Sequence, residues 1–111
     1  MEKIIVVRIP DDLLKLTDEG ETVIEEIEAV IPYIDGDTQI ILDFERVGFI
    51  DSTGLWSLIR YGEMFMRSGS PVKIINMRKY LLRIFQLSGL ATIFKLFVHP
   101  NPSELYKKYD E

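Results

Sequence analysis

The chain has 111 residues, of which 47% are hydrophobic, which suits one compact domain over residues 1–111 and argues against disorder. Its formal net charge of −5 speaks against a nucleic-acid partner, because phosphate binding wants a basic surface. It has no cysteine, which excludes disulfides and thiolate metal sites. The start, Met1-Glu2-Lys3-Ile4, runs straight into a strand pattern without a secretory layout, and no apolar run is long enough to span a bilayer. A cytoplasmic protein of bacterial type, with no membrane partner, is the expectation.

Ile4 to Ile9 is β-branched and nearly continuous, so it reads as a buried strand that Pro10-Asp11-Asp12 breaks. Leu13 to Thr17 reads as loop. A helix is expected from Thr17-Asp18, with Val23, Ile24, Ile27, Val30 and Ile31 at helical spacing and Glu21, Glu25, Glu26 and Glu28 mostly opposite. Pro32 and Asp35-Gly36-Asp37 end it. Gln39 to Phe44 is a second strand, and Glu45-Arg46-Val47-Gly48 connects it to an apolar strand end, Phe49-Ile50.

A second helix is predicted from Ser52 to Arg67, stopped by Ser68-Gly69-Ser70-Pro71. Its core stripe is Leu55, Leu58, Ile59, Gly62, Phe65 and Met66; Ser52, Trp56 and Glu63 share the stripe's edge, with Arg60 and Arg67 just beyond. Val72 to Asn76 is a third strand. Arg78 to Leu87 is a third helix with Leu81, Leu82 and Phe85 inward and Gly89 as C-cap. Ile93 to Val98 is a fourth strand, and Asn101-Pro102 opens a last helix ending near Tyr109. Strands alternating with helices mean an α/β sheet covered by helices. The pairing order stays open, since the right-handed crossover rule limits the choices without selecting one.

The stretch Asp51-Ser52-Thr53-Gly54-Leu55-Trp56 carries the most specific signal. A serine hydroxyl at the first turn of a helix lies at the surface beside free backbone N–H groups, where it can be modified and the modification read. An ordinary helix cap is by itself enough to explain Asp51-Ser52, and without a wider context it is the favoured reading. Trp56, at i+4 from Ser52, is either a rim residue over the core edge or an aromatic anchor for a protein partner.

Asp51-Ser52-Thr53-Gly54-Leu55 after an apolar strand resembles the phosphorylation site of the STAS domain, the anti-sigma factor antagonist family. Ile84-Phe85-Gln86-Leu87-Ser88-Gly89-Leu90 looks like the family's second signature, and the two stand in the right order. The resemblance implies a STAS fold: a four- to five-stranded, mostly parallel mixed sheet covered by about four helices. It also implies a switch and not an enzyme. In such proteins the serine after the Asp, here Ser52, accepts phosphate from an anti-sigma factor serine kinase of the histidine-kinase-like ATPase fold. The unphosphorylated form binds that kinase and frees the sigma factor, the phosphorylated form does not bind, and a PP2C-type phosphatase resets it.

By the same match, Asp51 would hold the turn and orient the Ser52 hydroxyl. Thr53 would be a second surface hydroxyl, and Gly54 would let a partner's backbone come close. Leu55 and Trp56 would complete the partner-facing turn. The loop Pro10 to Thr17 corresponds to the family's other partner-facing loop, so Asp11 and Asp12 are candidates for contacts with basic residues of the kinase; a plain solvated turn is the alternative. Three features depart from the pattern: Trp56 replaces a small residue, the family's first edge strand is missing or reduced, and the loop from Pro10 lacks the usual wording.

Other chemistries find little support. A nucleophilic Ser52 needs a base, and the chain has a single histidine, His99, with no Gly-x-Ser-x-Gly elbow and no lysine three residues after Ser52. One histidine without cysteine makes a metal site unexpected, and no Gly-rich loop suggests a nucleotide cofactor. A scaffold or accessory subunit of a stress-signalling or lipid-transport complex keeps the fold without the phosphorylation cycle. Sensing of a small apolar ligand stays open, and a monomer is the expected state.

Overall fold

The computed structural model describes residues 3–69, 72–89 and 95–96. Strand β1 is Lys3–Arg8. A two-residue pair follows, β2 at Lys15–Leu16 and β3 at Thr22–Val23. Helix α1 is Glu25–Val30 and tightens into a 3₁₀ turn, Ile31–Tyr33. Then come β4 at Thr38–Asp43, α2 at Ser52–Ser68, β5 at Val72–Ile75, α3 at Lys79–Ser88 and β6 at Lys95–Leu96.

The main sheet has the order β1-β4-β5-β6, and every pairing in it is parallel. The only antiparallel pairing among the described residues is the separate β2–β3 hairpin. A four-stranded parallel sheet with a small antiparallel element beside it agrees with the expected α/β fold. The order advances in one direction along the chain, so right-handed crossovers must land every connecting helix on one face. The packing agrees. Val7 of β1, Ile40 and Leu42 of β4, and Val72 and Ile74 of β5 join one buried cluster with Ile27 of α1, Leu58 and Phe65 of α2, and Leu81 and Phe85 of α3. The opposite face carries a smaller cluster, Ile41 and Ile75 with the half-buried Ile4 and Val6. In-register pairing keeps the two sets apart: Val7 sits beside Leu42 and Leu42 beside Ile74, while Val6 sits beside Ile41.

The structure corrects several expectations. The helix expected from Thr17-Asp18 begins only at Glu25, and Lys15–Leu16, expected as loop, is the first arm of the hairpin. The Thr17 N–H donates to the Glu21 carbonyl at 2.7 Å, and Thr17 Oγ1 accepts from the Glu21 N–H at 3.1 Å. Gly20 takes φ of 84° between them, which glycine adopts freely and a helix cannot use. Helical periodicity is real from Ile24 onward; Val23, counted into it, belongs to β3. Phe49-Ile50 is not a strand, because β4 already ends at Asp43. Met66, assigned to the core stripe, is 60% exposed, whereas Gly54, Ser57 and Tyr61 are buried. The last helix expected over 101–109 and His99 lie outside the described residues.

Tyr61 ties α2 to α1. Its hydroxyl accepts from the Ile24 N–H at 3.2 Å and donates to Glu28 Oε1 at 2.9 Å. Ile24 is the N-cap of α1 and has no side-chain capping bond, so the tyrosine satisfies a donor at that helix start. Burial pushes the Tyr61 hydroxyl up to about 12, and the Glu28 carboxylate adds to the rise. The fold therefore favours the neutral hydroxyl. Its contribution is complete below the unfolded tyrosine pKa of about 10 and is lost as pH climbs through about 12. Tyr61→Phe is expected to lower unfolding free energy by about 1 kcal/mol in urea titrations at neutral pH. The wild-type advantage over that variant should shrink between pH 10 and 12; a constant difference would show that the hydroxyl contributes no protonation-linked stability.

Candidate functional site

The site grows from the end of β4. After Asp43 the chain turns, with the Val47 N–H donating to the Phe44 carbonyl at 3.0 Å. Val47 and Ile50 are buried, and between them Phe49 is left 70% exposed. Only two apolar residues, Phe49 and Ile50, separate Gly48 from the helix cap at Asp51, too few for a strand of ordinary length. That count was the signal available for placing Phe49 in a loop.

Asp51 is the N-cap of α2, with extended backbone (φ −86°, ψ 179°). Its Oδ1 accepts from the Gly54 N–H at 2.8 Å, and its carbonyl accepts from the Leu55 N–H at 3.0 Å. Ser52 and Thr53 are then the first two helical residues, and both side chains are exposed. Their backbone N–H groups precede any acceptor within the helix, at the positive end of a 17-residue macrodipole. Ser52 thus presents its hydroxyl to solvent where negative charge is favoured.

Gly54 is buried, and its missing side chain answers to this chain's own packing. A Cβ there would stand 2.9 Å from Ile50 Cγ2 and 3.1 Å from Leu13 Cδ2. The room expected for a partner's backbone is filled by two core residues. Leu55 is half-buried against the core, and Trp56 is 66% exposed.

Asp11 and Asp12 are both exposed. Asp11 Oδ1 accepts from the Gly48 N–H at 3.2 Å, joining the loop after β1 to the loop before α2. Asp12 pairs with Lys15, and its hydrogen bond and charge raise that ammonium above the usual lysine value. The fold brings the two expected regions together: Asp11, Asp12, Phe49 and Asp51 line one depression.

A model of the STAS domain family matches residues 4–102. The chain belongs to the STAS domain family. The "Anti-sigma-B factor antagonist" of Bacillus subtilis (strain 168) is 26% identical over 69 residues, covering 62% of this chain and 63% of that relative. The parallel sheet with helices packed on it agrees with a STAS fold. Among the described residues no group of three or more His, Cys, Asp or Glu side chains is placed to hold a metal ion, and no helix is long and apolar enough to cross a membrane.

A second polar group in this STAS domain lies at the carboxyl ends of the strands and was not singled out from sequence. Asp43, 3% exposed, accepts from the Glu45 N–H and from Asn76 Nδ2, each at 3.0 Å, and pairs with Arg8 Nε at 4.0 Å. Asn76 holds φ of 60°, which asparagine tolerates better than most residues. The group anchors the start of the loop that leads to Ser52 at the head of α2. It could not be foreseen because Asp43 looks like one more strand residue until pairing brings Arg8 and Asn76 beside it.

Two substitutions separate the roles within the turn. Gly54→Ala is expected to destabilise by about 1–3 kcal/mol through the clash with Ile50 and Leu13. Asp51→Ala should cost about 1 kcal/mol through loss of the cap. Chemical denaturation checks both; a Gly54→Ala protein as stable as wild type would show that the turn relaxes freely.

Proposed function

We propose that this STAS domain is an anti-sigma factor antagonist that works as a phosphorylation-controlled binding switch and not as an enzyme. Unphosphorylated, it binds an anti-sigma factor serine kinase of the histidine-kinase-like ATPase fold in the cytoplasm and so releases the sigma factor. Phosphorylation of Ser52 ends that binding, and a PP2C-type phosphatase restores it. The observation that carries the reading is the exposed Ser52 hydroxyl at the first position of α2, behind an Asp51 cap, in a STAS domain with an anti-sigma factor antagonist among its relatives.

The chemistry asked of the site is modest. Ser52 Oγ would form a bond to the γ-phosphorus of the kinase's ATP as the bond to ADP breaks, and the hydroxyl proton would pass to a base on the kinase. This chain need supply only a rigid, accessible hydroxyl. Asp51, Gly54 and Ile50 supply the rigidity, and the exposed first turn supplies the access. A phosphate would add about −1.5 to −2 charges beside Asp51. The helix N-terminus favours that charge, so the effect falls on the interface and not on the fold.

The test pairs binding with phosphotransfer, using the anti-sigma factor kinase encoded in the same genome, loaded with nucleotide. Wild type should gain one phosphate at Ser52 by intact mass. Ser52→Ala should bind and take no label. Ser52→Asp should bind at least tenfold more weakly, a loss of about 1.4 kcal/mol. Circular dichroism should show all three folded alike. If no label appears and both substitutions bind as wild type does, Ser52 is only a helix-capping neighbour and the scaffold or accessory-subunit role takes over.

A further inference from the structure

We propose that the outer edge of β1 is a self-association surface, on which a second copy of this chain pairs its own β1 antiparallel about a two-fold axis at Ile5. This pair replaces the monomer expected from the sequence. The backbone phase of the sheet carries the first step. The Lys3 N–H donates to the Asp37 carbonyl at 2.8 Å, and the Ile9 N–H donates to the Asp43 carbonyl at 2.9 Å. Between them the register with β4 runs unbroken from Lys3 beside Thr38 to Arg8 beside Asp43. Residues 3, 5, 7 and 9 therefore turn their backbone groups toward β4, and Ile4 and Val6 turn theirs away. β1 stands at one end of the sheet order, and among the described residues no strand pairs with that outer edge.

The strand itself does little to guard this edge. Edges are commonly blunted by proline, a bulge or a charge within the strand. β1 has six residues with no proline and no bulge, and its charges stand only at the ends, Lys3 and Arg8. Ile4, Ile5 and Val6 are half-buried, whereas β4, paired on both edges, is buried throughout. The sheet face away from the helices is apolar up to this edge, where Ile4 and Val6 pack with Ile41 and Ile75. A second β1 would set the same two side chains beside them and carry the apolar strip across the axis.

The register follows from phase and charge. Antiparallel pairing places outward backbone groups opposite outward backbone groups. With the axis at Ile5, Ile4 exchanges both backbone bonds with the partner's Val6, and Ile5 lies against the partner's Ile5. The same register sets Arg8 opposite position 2 of the partner, where the sequence has Glu2. An axis at Val6 would set Arg8 opposite the partner's Ile4 and lose that match. Opposite charges across a strand pair favour the Ile5 axis. The Arg8 side chain is 66% exposed, which leaves room for a second carboxylate besides Asp43.

Antiparallel pairing points the carboxyl ends of the two sheets in opposite directions. Helix α2 starts beyond the carboxyl end of β4, so the two Ser52 turns lie toward opposite ends of the pair. Each copy keeps its own exposed hydroxyl, and self-association does not compete with events at Ser52.

Sedimentation equilibrium of the full chain over a concentration series tests the pair. Wild type should shift toward twice its monomer mass as concentration rises. Val6→Pro removes an outward N–H where an edge strand tolerates proline, and it should raise the dissociation constant about tenfold or more with an unchanged circular dichroism spectrum. Glu2→Lys sets like charges opposite and should raise it about threefold. The chain has no cysteine, so one introduced thiol reports the register. Ile5→Cys should form a disulfide-linked pair under mild oxidation. Val6→Cys should not, because its two sulfurs would stand two residues out of step. Ser52→Asp should associate as wild type does. If Val6→Pro fails to fold, the Glu2→Lys and Ile5→Cys results decide. Wild type that stays monomeric at the highest concentration reached overturns the proposal. So does a pair that survives Val6→Pro unchanged, and so does cross-linking through Val6→Cys in place of Ile5→Cys. No kinase enters the test, so its failure leaves the switch reading standing.

Discussion

Strand β4 is the constraint on which the rest depends. Every one of its six residues is buried, because β1 and β5 pair on its two edges and apolar side chains lie on both faces. A strand without water must still satisfy its polar members. Thr38 does so by bonding the Asp35 carboxylate at 2.9 Å, which in turn holds that carboxyl below the usual aspartate range. Asp43 does so at the other end through Asn76, Glu45 and Arg8. These polar contacts mark where the strand stops, and the position of Asp43 decides where the loop leading to Ser52 begins.

From there the chain has eight residues in which to reach the N-terminus of α2. Buried Val47 and Ile50 pin the loop from inside, and Asp11 pins it from the side through Gly48. The glycine at position 54 lets α2 start directly against Ile50 and Leu13. Backbone and core thus hold the first turn of α2 while asking nothing of the Ser52 side chain. With that separation, a group added to the hydroxyl would not unfold the helix.

How much of this was legible in the sequence depended on the range of the signal. The length of α2 came through to within a residue, because Asp51 and Gly69 punctuate it and its apolar positions repeat at helical spacing. Strands β1, β4 and β5 were legible as continuous apolar runs. The motif drew attention to Ser52, which the fold leaves exposed at the first turn of α2. What failed was decided by contacts far apart in the chain or by a single local turn. Gly20 and the Thr17–Glu21 bonds override only the expected start of the helix, and the apolar pattern holds from Ile24 onward. Tyr61 looks like an ordinary helix residue until Ile24 and Glu28 fold over its hydroxyl, 37 and 33 positions away in sequence. Phe49 read as the end of a strand because hydropathy alone cannot tell a residue held inward from one held outward.

The exposed Ser52 also explains how one small charge change can have unequal consequences. In the free domain a phosphate on Ser52 would gain about 0.3–1 kcal/mol from the helix N-terminus and lose a comparable amount to Asp51 across solvent. The Gly54 N–H is already taken by Asp51, so the phosphate would not rebuild the cap. The balance lies near zero, and the fold is indifferent. Within a complex the same group would have to shed its water, at a cost of several kcal/mol when no cation is aimed at it. A tenfold loss of affinity needs only about 1.4 kcal/mol of that. On a turn whose stability owes nothing to the Ser52 hydroxyl, a phosphate there would leave the free domain nearly unchanged and act at the interface with a partner.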